Sequence, residues 1–138
     1  SATTVSALAA PRRILIIEDN GDALEMLRAQ LERDGHEVPT AADGPAGVEA
    51  AAAVRPDVAL IDVGLPGFDG YEVARRIRAA AWGTSMRLVA LSGYGQADDR
   101  RRALEAGCDL HVTKPVMPER LAEILAGASC RPATDSSP

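Results

Sequence analysis

Between residues 13 and 126, short aliphatic runs alternate with longer stretches in which apolar residues recur every three or four positions. That alternation is the mark of strand-helix units wound around a parallel sheet. The runs predict strands over residues 13–17, 36–39, 58–62, 88–91 and 110–113. The periodic stretches predict helices over 22–33, 44–54, 71–80, 97–106 and 118–126, with Leu24, Leu27 and Leu31 as one apolar stripe on the first. Ile14-Leu15-Ile16-Ile17 and Val58-Ala59-Leu60-Ile61 are continuously apolar, which suits strands covered on both faces. Residues 36–39 are weaker, because Pro39 has no N–H to give to a ladder, and this strand is expected at a sheet edge. Gly35 and Gly107 stand where helices end in a left-handed residue, and Pro118 suits a first helical turn.

Composition narrows this picture. With 138 residues, 46% hydrophobic and 25% charged, the chain is expected to build one core. The expected domain is 12–127, between flexible tails at 1–11 and 128–138 whose small and polar residues lack an apolar face. The first tail reads as a leftover linker and the second as a natural terminus. A net charge of -5 speaks against a surface for the phosphate backbone, so direct nucleic-acid binding is not expected. Cys108 and Cys130 have neither a CxxC nor a Cys/His spacing, which fits a reducing cytoplasm. No apolar run reaches the roughly 18 residues of a membrane span.

In an open parallel sheet, chemistry gathers at the carboxyl ends of the strands. The first strand runs into Glu18-Asp19-Asn20 and the third ends at Asp62, so three carboxylates are expected in one crevice. A hard divalent cation relieves such repulsion, and Mg²⁺ is the preferred ion. The fourth strand delivers the Ser92 hydroxyl and the fifth the Lys114 ammonium. A hydroxyl donor and an ammonium beside metal-bound carboxylates suit the oxygens of a phosphoryl group carried on an aspartate. Asp62 is the best placed to carry it.

Glu18-Asp19, Asp62 with Leu65-Pro66-Gly67-Phe68-Asp69-Gly70, Ser92 and Lys114-Pro115 fall in the order seen in response-regulator receiver domains, which residues 13–126 resemble. The resemblance implies a flavodoxin-like (βα)5 fold, a doubly wound parallel sheet of strand order 2-1-3-4-5. It implies that Asp62 takes a phosphoryl group from a phosphohistidine on a histidine kinase or histidine phosphotransfer protein. Asp19, Asp62 and the Gly64 carbonyl would hold Mg²⁺, with Glu18 in the outer shell, while Ser92 and Lys114 would contact the phosphoryl oxygens. Ser92 would move on activation and so switch the protein-binding face. Such a module catalyses only its own phosphorylation and dephosphorylation and is not an enzyme with a diffusible product.

The sequence also departs from the family. Receivers often carry Tyr or Phe as a switch three residues before the lysine, where this chain has His111. A histidine there is a candidate switch with added pH sensitivity, set against an ordinary half-buried strand histidine. Gly64 and Tyr94 occupy positions resembling those that tune phosphoryl lifetime, and Tyr94 is equally read as a locally packed loop aromatic. Arg101 and Arg102 lie in a charge run on the fourth helix. The run reads first as a solvated face and second as part of a homodimer or target surface between the fourth and fifth helices. Three rivals stand beside the receiver reading. An aspartate-nucleophile phosphatase needs an acid where this chain has Gly64. An FMN carrier needs a phosphate loop in place of Glu18-Asp19-Asn20, and a degenerate receiver would signal by phosphate-independent protein contacts.

Overall fold

The computed structural model describes residues 12–93 and 97–128. The expected tails lie outside the described residues, apart from residue 128, which ends the last helix. Five strands and five helices alternate: β1 (Ile14–Ile17), α1 (Gly21–Arg33), β2 (Thr40–Ala41), α2 (Gly44–Val54), β3 (Val58–Asp62), α3 (Gly70–Ala79), β4 (Arg87–Ser92), α4 (Ala97–Glu105), β5 (Leu110–Thr113) and α5 (Pro118–Ala128). One 3₁₀ turn, Ala81–Gly83, precedes β4. The strands form a single parallel sheet of order β2-β1-β3-β4-β5, as expected.

Period-two alternation divides the core into two layers. Ile14 and Ile16 of β1, with Val58, Leu60, Val89, Leu91 and Val112, face one side, where Leu31 of α1 and Leu121, Ile124 and Leu125 of α5 cover them. Leu15 and Ile17, with Ala59, Ile61, Leu88 and Ala90, face the other side against Ala51 of α2, Val73, Ala74 and Ile77 of α3, and Ala103 of α4. All four residues of β1 and the first four of β3 are fully buried. That explains why their apolar runs are unbroken. No helix among the described residues is long and apolar enough to cross a membrane.

The second strand differs from expectation. Regular pairing with β1 is confined to Thr40–Ala41, and within residues 36–39 only Glu37 forms an isolated bridge, to Arg13. The carbonyls of Glu37, Pro39 and Ala41 each accept a β1-side N–H, from Ile14, Ile16 and Glu18. Return donation comes from the Glu37 N–H to Arg12, but Pro39 has none to give, and the ladder lapses there. Gly35 and Gly107 take φ of +93° and +106°, in the left-handed region expected of them.

Arg78 on α3 fastens the far end of this frame. Its guanidinium donates to the carbonyls of Gly107 (2.8 Å), Gly83 (2.7 Å) and Met86 (2.6 Å) and pairs with Asp109 at 2.8 Å. Arg78→Met withdraws all of these donors at once, and urea unfolding is expected to show a loss of about 3 kcal/mol. Arg75→Met, which breaks only a surface pair with Glu72, is expected to cost less than about 1 kcal/mol.

His36 is buried, and its Nδ1 accepts the Arg12 backbone N–H at 3.1 Å. Burial holds its pKa below the ordinary 6.5. The stability tied to neutral His36 is therefore complete above 6.5 and is lost as pH falls toward the lower folded value. Urea midpoints are expected to drop as pH is lowered from about 7.5 to about 5.5, with a shallower slope in His36→Asn.

Candidate functional site

Strand register brings the chemistry together. Ile17 pairs with Ile61, so Glu18 and Asp62, each one residue further along, meet at the carboxyl edge of β1 and β3. Asp62 lies beside Leu91 of β4, and Ser92 beside Thr113 of β5. The Lys114 backbone N–H donates to the Ser92 carbonyl at 2.8 Å, which fixes where the lysine leaves the sheet. The Lys114–Pro115 peptide is cis. Asn20 closes the β1 loop, accepting the Ala23 N–H at 2.9 Å as the cap of α1 and donating its own N–H to Glu18 Oε2 at 3.1 Å.

Lys114 Nζ lies 2.7 Å from Glu18 Oε1 and 3.0 Å from Asp62 Oδ1. Glu18 is 1% exposed and Asp62 7%. Burial pushes the Asp62 carboxyl above its ordinary range. The neighbouring Glu18 charge pushes the same way, against hydrogen bonds from Lys114 and the Gly64 backbone. Burial alone would weaken the Lys114 ammonium, but its bonds to Glu18 and Asp62 outweigh that and raise its pKa. Glu18, Asp19 and Asp62 each offer an oxygen within 4.8 Å of the others. Fully ionised, three carboxylates facing one ammonium leave two negative charges. This all-oxygen donor set fits a hard divalent cation.

Ser92 and His111 project toward the same side of the sheet, and Ser92 Oγ is 2.8 Å from His111 Nε2. Burial holds the His111 pKa below its ordinary value, with Asp99 opposing and Arg100 assisting. Gly64 is exposed, and a Cβ there would sit 4.0 Å from Asp62 Oδ2, so a side chain at this position would stand beside that oxygen. Tyr94 lies outside the described residues. In the charge run, Arg101 pairs with Asp98 and Glu105 within α4, while Arg102 stands 4.4 Å over the Tyr71 ring. Cys108 is buried and its thiol is pushed up to about 12, so it is no nucleophile.

Two residues that the sequence reading quoted only as part of the family motif, without a role, prove to be positioning residues. Gly70 packs so closely on the Asp62 carbonyl that any Cβ would collide with it, and its N–H donates to Val63 at 3.0 Å. Asp69 caps α3 by accepting the Glu72 N–H at 3.0 Å. An Asp before a helical period is a legible cap signal. Nothing in the sequence tells of the Gly70 contact.

A doubly wound parallel sheet with this acidic, lysine-bridged crevice at its carboxyl edge defines a flavodoxin-like α/β module. The response regulator receiver domain model matches residues 14–126, and the chain belongs to that family, the receiver modules of two-component signalling. The transcriptional regulatory protein CseB of Streptomyces avermitilis is 39% identical over 140 residues, covering 94% of this chain and 58% of its own length. CseB of Streptomyces coelicolor is 42% identical over 102 residues, covering 74% of this chain and 42% of its own. This chain thus spans about half the length of these curated relatives. Among solved structures, the receiver domain of the sensor histidine kinase PA1611 from Pseudomonas aeruginosa PAO1 has a magnesium ion coordinated in its active site cleft. It matches with a TM-score of 0.78 at 35% identity, covering 84% of this chain and 95% of that one. A response regulator from Chloroflexus aurantiacus matches with a TM-score of 0.78 at 32% identity, covering 84% of this chain and 98% of that one.

The charge arrangement makes opposite predictions for its two signs. Asp62→Asn removes one of two buried, mutually repelling carboxylates and is expected to raise the melting temperature at neutral pH. Lys114→Met leaves Glu18 and Asp62 without their shared cation and is expected to cost about 3 kcal/mol in urea unfolding.

Proposed function

We propose that Asp62 is the phosphoacceptor of a two-component phosphorelay. The observation that carries this reading is the Lys114 ammonium seated within 3.0 Å of Asp62 and 2.7 Å of Glu18, in a crevice that also holds Asp19. An Asp62 carboxylate oxygen attacks the phosphorus of a phosphohistidine. The P–O bond forms, the P–N bond breaks, and the electron pair leaves on the donor imidazole. Lys114 turns from the carboxylates to one phosphoryl oxygen, and Ser92 donates its hydroxyl to another. The exposed glycine at 64 leaves room for in-line approach.

Mg²⁺, when bound, neutralises charge between the carboxylates and the incoming phosphoryl group. Asp19, Asp62 and the Gly64 carbonyl would hold it directly. Both Glu18 oxygens already accept hydrogen bonds, from Lys114 and from the Asn20 N–H, which supports an outer-shell role. The domain takes part only in adding and removing its own phosphoryl group.

The phosphodonor is a histidine kinase or a histidine phosphotransfer protein. An apolar groove of about 340 Å³ beside Lys114, between α1 and the start of α5, supports docking next to the acceptor. Met26 and Met117 on its walls are 75% and 55% exposed. The α4–α5 face is proposed as the surface that changes with phosphorylation and meets a target or a second copy. The negative net charge supports output through protein contacts from this domain rather than direct contact with nucleic acid.

Intact mass after incubation with acetyl phosphate tests the reading. The wild type is expected to gain one phosphoryl group with Mg²⁺ and none in chelator, while Asp62→Asn gains none in either. A folded wild type that gains nothing with Mg²⁺ overturns it in favour of phosphate-independent binding.

A further inference from the structure

The Ser92 hydroxyl has two claims on its proton. In the proposed reaction it donates to a phosphoryl oxygen, yet its Oγ already lies 2.8 Å from His111 Nε2. Neither position is accidental. Ser92 and His111 lie on adjacent strands, Ala90 pairing with His111 and Ser92 with Thr113, and alternation turns both toward the α4 side. The Ser92 hydroxyl is the contact through which His111 reaches the site.

We propose that His111 is a positioning residue whose protonation state sets whether the Ser92 hydroxyl points at the imidazole or at the phosphoryl group on Asp62. The inference rests on the phosphoacceptor reading. Neutral His111, carrying its proton on Nδ1, accepts the Ser92 O–H at Nε2 and holds that proton away from the crevice. Protonated His111 donates Nε2–H to a lone pair of Ser92 Oγ, and the hydroxyl proton turns to the phosphoryl oxygen. No bond to carbon or phosphorus changes; one solvent proton is taken up at Nε2. By linkage, a ligand that needs the Ser92 donor raises the proton affinity of His111, and a proton on His111 strengthens that ligand's binding by the same factor.

The groups around His111 set where this happens. On α4, Asp99 favours the protonated ring and Arg100 opposes it, while burial favours the neutral ring. From β4 the facing group is the Ser92 hydroxyl itself. The Lys114 ammonium is engaged by Glu18 and Asp62. Free protein near neutral pH is thus in the neutral, hydroxyl-holding state, and phosphorylation draws in a proton.

The test uses beryllofluoride with Mg²⁺ as the phosphoryl mimic on the full chain. The chain has two histidines, so the imidazole C–H signals in proton NMR are assigned with His111→Gln and His36→Asn. The His111 titration midpoint is expected to rise when beryllofluoride joins Mg²⁺, while that of His36 stays. Beryllofluoride affinity of wild type relative to His111→Gln, which keeps a hydrogen-bonding group but does not titrate, is expected to grow about fivefold or more from pH 7.5 to 5.5. His111→Phe serves as a second non-titrating reference. An unmoved His111 midpoint, or a wild-type to variant ratio that stays constant with pH, overturns the inference while leaving Asp62 as acceptor. No beryllofluoride binding by folded wild type overturns the acceptor reading and the inference together.

Discussion

Lys114 reaches from the end of β5 across β4 to lie between two carboxylates that are nearly closed off from water. At about 4 Å two like charges repel by roughly 4 kcal/mol at the effective dielectric of a protein surface. That is a large part of the roughly 5–15 kcal/mol by which a domain is stable. The carboxyl edge of the sheet can carry its acids only because the ammonium is there. The strand order follows the same need: β1 and β3 must be adjacent for Glu18 and Asp62 to share one cation, and β5 must end level with both. The site is therefore stable as it stands yet short of positive charge, a condition that suits a hard divalent cation.

The two faces of the sheet carry different parts of the proposed function. Helices α1 and α5 cover one face and border the apolar groove beside Lys114. The other face is covered by α2, α3 and α4, and there Ser92 meets His111 within reach of Asp99 and Arg100. The proposed docking groove thus lies on one side of the sheet and the Ser92–His111 contact on the other, while the proposed output surface between α4 and α5 joins the two sides beyond β5. Arg102 over Tyr71, and the Tyr71 hydroxyl 3.4 Å from Asp99, tie α4 back to α3 on that side.

Much of this was readable before any coordinates. Buried parallel strands must be continuously apolar, and the runs at Ile14–Ile17 and Val58–Asp62 are. Glu18, Asp19, Asp62, Ser92 and Lys114 were legible because polar residues directly after such runs have no reason of their own to be there. Residues 36–39 misled, because a hydrophobic pattern does not count backbone donors, and one missing N–H at Pro39 confines regular pairing to two residues. The contacts of Gly70 and Arg78 were silent for a different reason. Each acts through backbone carbonyls, of Asp62 in one case and of Gly83, Met86 and Gly107 in the other, and carbonyl positions leave no trace in side-chain identity. His111 was visible only as a departure, and its meaning depended on a distance.

The brevity of β2 bears on how this sheet behaves toward other copies of itself. An open parallel sheet ends in strands whose outer N–H and C=O groups are templates for further strands, and long flat edges recruit them. With regular pairing confined to Thr40–Ala41, β2 offers almost no row of such groups. So short a row blunts that edge against the sideways addition of further strands, and the sheet can stop at β2.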